Sequence, residues 1–367
     1  MGLPIFASLK EMMEYYYGPS RQIRKAVEVS ETAGSGTHWE PLYGKKVWSW
    51  LNLESNVFAI LPKEPWTQSG WRILTTRAHS SGGGIAESTD GGTVPTPLTL
   101  TFAQIKTKPK TVVHTFDLGE LAEFLGSVDD AVDLLPTYRE EIGKEHASCI
   151  NKMLIGDADT VAGDNFESLD RVIAAKSEIT GGRYSANDLD IYGLDRDSPT
   201  TYDAYVSHNS NTDRDLSLSI IDTVLQNVWD NGGLPKVILT KTDSMMRWQQ
   251  LLEAERRFMD TARVVPTFGG VRGPAPGIEA GFLVATYFGI PIIPSIDVPA
   301  CSTIGGIYFI DTDFVKFAVA KPTTYAETGK GEGFLYRGKF ATEGMYETMG
   351  ELRAYRFNAH GKVADLK

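Results

Sequence analysis

The stretch WRILTTRA (71–78), HSSGGGIAESTDGGTVPTP (79–97) and LTLTFAQIKTKPKTVVHTF (98–116) carries the decisive reading. Its two flanks are rich in threonine and β-branched residues, which favours extended backbone. The connection between them holds five glycines, no aromatic residue and no lysine. This pattern predicts a long two-stranded arm with a glycine-rich tip. A hairpin of that length does not stabilise itself in water, so the arm needs a neighbour to lie on.

Upstream, five of the seven tryptophans fall between Trp39 and Trp71, where prolines at 41, 62 and 65 forbid one long helix. Aromatic area so concentrated suits a buried seam or an interface. Residues 20–39 are polar, cluster Arg21, Arg24 and Lys25, and read as an extended arm. Before them, Ile5, Leu9, Met12 or Met13 and Tyr16 share one face of a short helix. Its polar side has Lys10 against Glu11 and Glu14, which suits docking on protein rather than on a membrane surface.

Downstream, Leu135, Tyr138, Ile142, His146, Cys149 or Ile150 and Met153 recur at helical spacing, predicting a helix over 136–154 with Pro136 in its first turn and Gly156 as its stop. FESLDRVIAAKS (166–177) reads as a second helix, followed by a polar connection to about residue 211. Residues 213–313 then alternate: a helix over 215–231, a strand over 236–240, a helix over 243–258, the loop FGGVRGPAPG (268–277), and the strands FLVATYFG and IPIIPS. That block reads as an α/β domain. Strands are expected again over 307–310, 314–319 and within 334–357.

The 367 residues are 42% hydrophobic and 23% charged, with a net charge of −11. This is a globular composition, long enough for two or three compact units. The acidic balance argues against a dedicated nucleic-acid binder. Cys149 and Cys301 allow neither a disulfide framework nor a cysteine-based zinc site and are expected to be free and buried. No apolar run reaches the ~18 residues of a membrane span, and the first residues do not have the pattern of a signal peptide, so the expected location is the cytoplasm.

Candidate chemistry is thin. Asp157, Asp159 and Asp164 begin like a calcium loop, but Val161, Ala162 and Ser168 stand where it requires an oxygen ligand, a glycine and a glutamate. Gly329, Gly331 and Gly333 have neither a βα turn before them nor a helix after them to meet a phosphate. The six histidines are scattered singly. The expectation is no enzyme, no cofactor and no metal; what remains is an architecture of arms and projections, the parts with which a subunit grips its neighbours.

The order of these parts, over about 39–367, resembles the major capsid proteins of tailed viruses, the Hong Kong 97-type fold. Gly84, Ile85, Ala86 and Glu87, followed by 98–110 and FDLGELAEFLGS (116–127), look like the family's E-loop descending into the peripheral domain. Residues 136–154 look like its spine helix. GIEAGFLVATYFGIPIIPS (277–295) resembles a strand pair of its axial domain. IYFIDTDFVKFAVAKPTTY (307–325) and YETMGELRAYRFNAHGKVADL (346–366) resemble its closing strands.

The resemblance implies an α+β fold with an N-terminal arm (1–45), the start of the peripheral domain (46–69), an E-loop (70–116), the peripheral domain with its spine helix (117–204), an axial domain (205–312) and closing peripheral strands (313–367). It implies a homo-oligomer of pentamers and hexamers forming an icosahedral head around double-stranded DNA, assembled in the host cytoplasm, with portal, scaffold and decoration proteins as partners and no membrane. Trp39, Gly84, Ile85, Glu87, Phe268, Arg272 and Pro274 are the implied inter-subunit contacts. Arg21, Arg24 and Lys25 are candidates to face the packaged DNA, although a solvated arm is the favoured reading of them. The arm starts at Met1, so a separate scaffold or none is expected; residues 78–104 lack lysine, so no isopeptide weld is expected from the loop tip. An encapsulin-like nanocompartment shell is the alternative.

Overall fold

The computed structural model describes residues 56–78, 99–119, 134–156, 165–185, 190–194, 196, 202–254, 260–264, 282–300, 303–328 and 341–367. In chain order, helix α1 (Asn56–Ile60) and strands β1 (Lys63–Pro65), β2 (Gly70–Ala78), β3 (Thr99–Lys106) and β4 (Lys110–Gly119) precede the long helix α2 (Leu134–Ile155). Next come α3 (Leu169–Val172), α4 (Lys176–Thr180), β5 (Tyr205–Ser207), α5 (Leu218–Asp230), β6 (Val237–Thr240) and α6 (Thr242–Ala254). Strands β7 (Asp260–Val264), β8 (Phe282–Tyr287), β9 (Ile290–Pro294), β10 (Ile307–Ile310), β11 (Val315–Glu327), β12 (Ala341–Ala354) and β13 (Gly361–Val363) complete the order. The described residues belong to two compact units, one within 112–148 and 323–348, the other within 54–111, 149–322 and 349–367.

In the first unit β12 runs between β11 and β4. Helix α2 is 22 residues, about 33 Å at 1.5 Å per residue, and ends where the Gly156 N–H donates to the Lys152 carbonyl at 3.0 Å. Arg139 on α2 forks onto Glu327 of β11, with Nε–Oε2 2.8 Å and Nη2–Oε1 2.7 Å, which holds the Glu327 carboxyl below its ordinary range. A Cβ on Gly344 would stand 2.3 Å from ring carbons of Phe116. Glycine there lets the Phe116 ring lie across β12, nearly parallel to Tyr325 at 6.4 Å.

A histidine pair links α2 to β4 in this unit. His114 Nδ1 and His146 Nδ1 are 2.9 Å apart, so one must present a hydrogen and the other a lone pair. His146 Nε2 lies 2.7 Å from Thr348 Oγ1, itself 2.8 Å from Thr323 Oγ1. Burial, with His114 adding to it, pushes the His146 imidazole down to about 4.

The second unit is built on a seven-stranded sheet, β5-β13-β10-β6-β9-β8-β7. β6 and β10 are buried along their whole length, which explains why VILT and IYFI read as continuous apolar runs. Helix α5 turns Leu218, Ile221, Val224, Leu225 and Val228 inward at helical spacing and packs on β5 and β13. Trp248 of α6 joins the same core. β8 and β9 are joined by Phe288 and Gly289, both at positive φ (49° and 76°), the two-residue turn whose twist suits antiparallel strands.

Lys362, in β13, is fully buried. Its ammonium lies 3.0 Å from Asp170 Oδ1 on α3 and 2.9 Å from Glu178 Oε1 on α4. Tyr308 and Tyr184 donate to the two Asp170 oxygens at 2.7 and 3.2 Å, and Arg183 lies 3.4 Å from Asp365. Burial alone would raise Asp170; Lys362 and Arg183 outweigh it and hold the carboxyl below its usual range.

Four local readings change. The single helix expected over 166–177 is two short ones, because Ala175 is extended and donates its N–H to Glu178 of the second, while Arg196 Nη2 donates to the freed Val172 carbonyl at 3.1 Å. The stretch 98–116 divides at Thr107–Pro109 into β3 and β4, which join different sheets. Pro109 has no N–H with which to continue a ladder. Finally, the C-terminal residues leave β12's sheet: β13 lies between β5 and β10. Cys149 is in no disulfide and is half-buried rather than buried.

Candidate intersubunit surface

β2 and β3 form a two-stranded sheet of their own, antiparallel from Gly70↔Lys106 at the base to Ala78↔Thr99 at the far end. Alternation divides this ribbon into two faces. On one, Trp71 and Ile73 pair with Ile105 and Ala103, which are 1% and 8% exposed. On the other, Leu74 pairs with Phe102, and Leu100 follows two residues along β3. These three are 36%, 54% and 47% exposed. The register slips one residue at Thr75, whose hydroxyl donates to the Thr101 carbonyl at 3.1 Å, so the bulge leaves that acceptor satisfied.

The base is held firmly. Trp71 Nε1 donates to the Ala354 carbonyl at 3.2 Å, and its ring meets Tyr192 edge-on at 5.2 Å. The Arg353 guanidinium lies 4.0 Å over the Trp66 ring and 5.5 Å from that of Trp71. Thr107 N–H donates to the Ser69 carbonyl at 2.9 Å and closes the ribbon. The expected aromatic seam thus exists for Trp66 and Trp71 as the ribbon's footing.

Beside that footing opens a cleft of about 830 Å³, lined by Lys106, Lys108, Lys110, Arg171, Glu167 and Tyr192 among others. Lys110 is committed: its ammonium donates to the Asn165 carbonyl at 2.5 Å and lies 3.2 Å from Glu351. Arg171 is committed to Glu167 at 3.1 Å. Burial pushes Glu351 up to about 7 against the pull of Lys110, and raises Glu167 against Arg171 and Lys110. Lys106 and Lys108 are exposed and have no ion-pair partner among the described residues.

A second exposed apolar group lies by the β8–β9 turn of the seven-stranded sheet. Phe288 and Trp229, 65% and 42% exposed, meet edge-on at 5.9 Å.

Arg21, Arg24, Lys25, Trp39, Gly84, Ile85, Glu87, Phe268, Arg272 and Pro274 all lie outside the described residues. The surface side chains found instead are Leu74, Leu100, Phe102, Lys106 and Lys108. The signal for Leu100 and Phe102 was present in LTLTFAQIK, where apolar residues occupy one face at 100 and 102 and the other at 103 and 105. One face packs at the base, and the other stays outside. Among the described residues, no three His, Cys, Asp or Glu side chains converge as a metal site, and no helix is long and apolar enough to cross a membrane.

The chain matches the family model described as SU10 major capsid protein over residues 127–367. No curated protein sequence matches. Among solved structures, it is similar to the capsid of cyanophage A-1(L), with a TM-score of 0.57 and 13% identity over 88% of this chain and 95% of that one. A Mycobacterium phage Bobi chain gives 0.55 and 12%, over 93% and 99%. A chain of an encapsulin complex from Synechococcus elongatus gives 0.51 and 10%, over 89% and 94%. At these identities the likeness is one of fold.

Proposed function

The chain belongs to the SU10 major capsid protein family, and from that premise we propose that it self-assembles into the pentamers and hexamers of an icosahedral head enclosing the double-stranded DNA of a tailed virus or prophage. The observation that supports this best is the ribbon. A subunit that works alone has no use for a two-stranded projection with Leu74, Leu100 and Phe102 turned outward. A subunit in a shell lays such a face on the next copy.

In this reading residues 70–116 are the E-loop, 117–204 the peripheral domain with its spine helix at 136–154, 205–312 the axial domain and 313–367 the closing peripheral strands. Residues 1–45 are the N-terminal arm and 46–69 open the peripheral domain. Trp229 and Phe288 then join Phe268, Arg272 and Pro274 as contacts of the axial domain. Each subunit buries well over the ~1,600 Å² of a standard interface. Portal, scaffold and decoration proteins are its proposed partners, and assembly takes place in the host cytoplasm. Arg21, Arg24 and Lys25 touch packaged DNA through phosphates, without sequence preference and more weakly as salt rises.

An encapsulin-like shell shares the fold, but the family model matched is one of major capsid proteins, which favours a genome-holding head. Electron microscopy of the purified chain is the test. Closed shells or five- and six-fold rings are expected; a uniform small particle overturns the proposal.

A further inference from the structure

We propose that the Lys110–Glu351 ion pair is a proton-controlled latch on the joint where the ribbon leaves its footing. The inference stands apart from the shell reading, because every group it uses lies within one chain. β3 and β4 join different sheets, and Thr107–Pro109 is the whole connection between them. Among the described residues, no side chain of Thr107, Lys108 or Pro109 has a hydrogen bond or ion pair. The joint is tied instead by the Thr107 N–H, which donates to the Ser69 carbonyl at 2.9 Å, and by Lys110. The Lys110 ammonium donates to the Asn165 carbonyl at 2.5 Å and lies 3.2 Å from Glu351 Oε2.

Glu351 is the fixed half of the pair. It is fully buried in β12, and its Oε1 accepts from the N–H groups of Glu167 at 2.7 Å and Leu352 at 3.0 Å. Lys110 is the movable half, because its side chain is partly exposed and lines the cleft of about 830 Å³, where water can receive the ammonium. The charge on Glu351 holds the joint, and burial makes that charge easy to lose. Burial pushes the carboxyl up to about 7 against the pull of Lys110, and Glu167 beside it pushes the same way. The other charged groups nearby are committed elsewhere: Arg171 to Glu167 at 3.1 Å and Arg353 to Glu64 at 3.7 Å. Arg196 acts on Glu167 and Tyr192, and the Tyr192 hydroxyl donates to the Leu352 carbonyl at 2.6 Å. Lys110 is thus the cation that answers Glu351. Since Lys110 draws the carboxyl's value down, ionised Glu351 favours the closed latch, and a proton on the still-buried carboxyl favours release. The joint therefore loosens as pH falls through about 7. Glu351 stays buried in both states, so its link to Lys110, and not unfolding, sets this sign.

The test is backbone hydrogen exchange of the full-length chain, read by mass spectrometry at pH 8 and pH 6 and corrected for the intrinsic pH dependence of exchange. Protection over residues 104–111 should fall about fivefold at pH 6, the size of linkage expected when one carboxyl titrates across that window. Residues 218–230, in the core, should not change. Glu351→Gln keeps the shape and an acceptor oxygen without the charge, so it should show the lower protection at both pH values, and Lys110→Gln should match it. Equal protection of 104–111 at the two pH values in the wild type overturns the latch. So does a fall that persists in Glu351→Gln, or one that spreads equally to 218–230. The wild-type comparison does not depend on any variant folding, and every outcome leaves the shell function untouched.

Discussion

Lys362 and Phe102 are opposites in the same unit. A lysine in mid-strand is fully buried and surrounded by partners, while a phenylalanine in mid-strand is 54% exposed with its partner Leu74 exposed beside it. The difference teaches where the subunit is complete. Around Lys362, two carboxylates meet the ammonium, and two tyrosine hydroxyls donate to Asp170, one to each oxygen. Along the outer face of the ribbon none of the described residues covers Leu74, Leu100 or Phe102. The interior cluster is closed by its own partners, whereas the outer side chains of the ribbon stay exposed.

The comparison can be broken most severely at the buried end. Lys362→Met removes the ammonium that meets both buried carboxylates, Asp170 and Glu178, and should destabilise the unassembled chain by about 3–5 kcal/mol in urea unfolding. A loss below ~1 kcal/mol would mean that this cluster does not tie α3 and α4 to the sheet.

The histidine pair gives the next effect, and its sign is fixed. The folded value of His146, about 4, is below the ordinary 6.5, so its contribution is fully present above 6.5 and is lost as pH falls through about 4. The 2.9 Å contact with His114 also cannot survive when both rings carry two hydrogens. Unfolding measured from pH 7 to 4 should show stability falling, with a shallower slope in His146→Gln. An unchanged slope would remove the pair as its source.

The smallest expected effect on the isolated subunit is at the ribbon. Leu74→Ser with Phe102→Ser should shift its unfolding by no more than about 0.5 kcal/mol, as for ordinary surface positions. The same change should raise the concentration needed for shells. Unaltered assembly would mean that this face meets no neighbour.

Helix α2 and strands β6 and β10 were legible in the amino-acid order because one-dimensional periodicity carried them: a stripe at 3.6 residues for the helix, unbroken apolar runs for strands covered on both sides. The outward face of β3 was legible in the same way. The break between α3 and α4 was not, since FESLDRVIAAKS has helical character throughout and residues farther along the chain, Arg196 and Ala204, take up the carbonyls it frees. The cleft was also hidden, because Lys106 and Lys110 meet Glu167, Arg171 and Tyr192 only after the chain has folded back.

By itself, then, the sequence determined the element types and the presence of a projection too long to stand alone, because both follow from local spacing and composition. Tertiary structure decided which sheet each strand joins. GKV is too short to carry a pattern, yet it lies as an internal strand between β5 and β10, from which Lys362 reaches Asp170 and Glu178. Likewise LTLTFAQIK is two-faced in sequence, and only the packing of Trp71 and Ile105 at the base decided which face remained exposed.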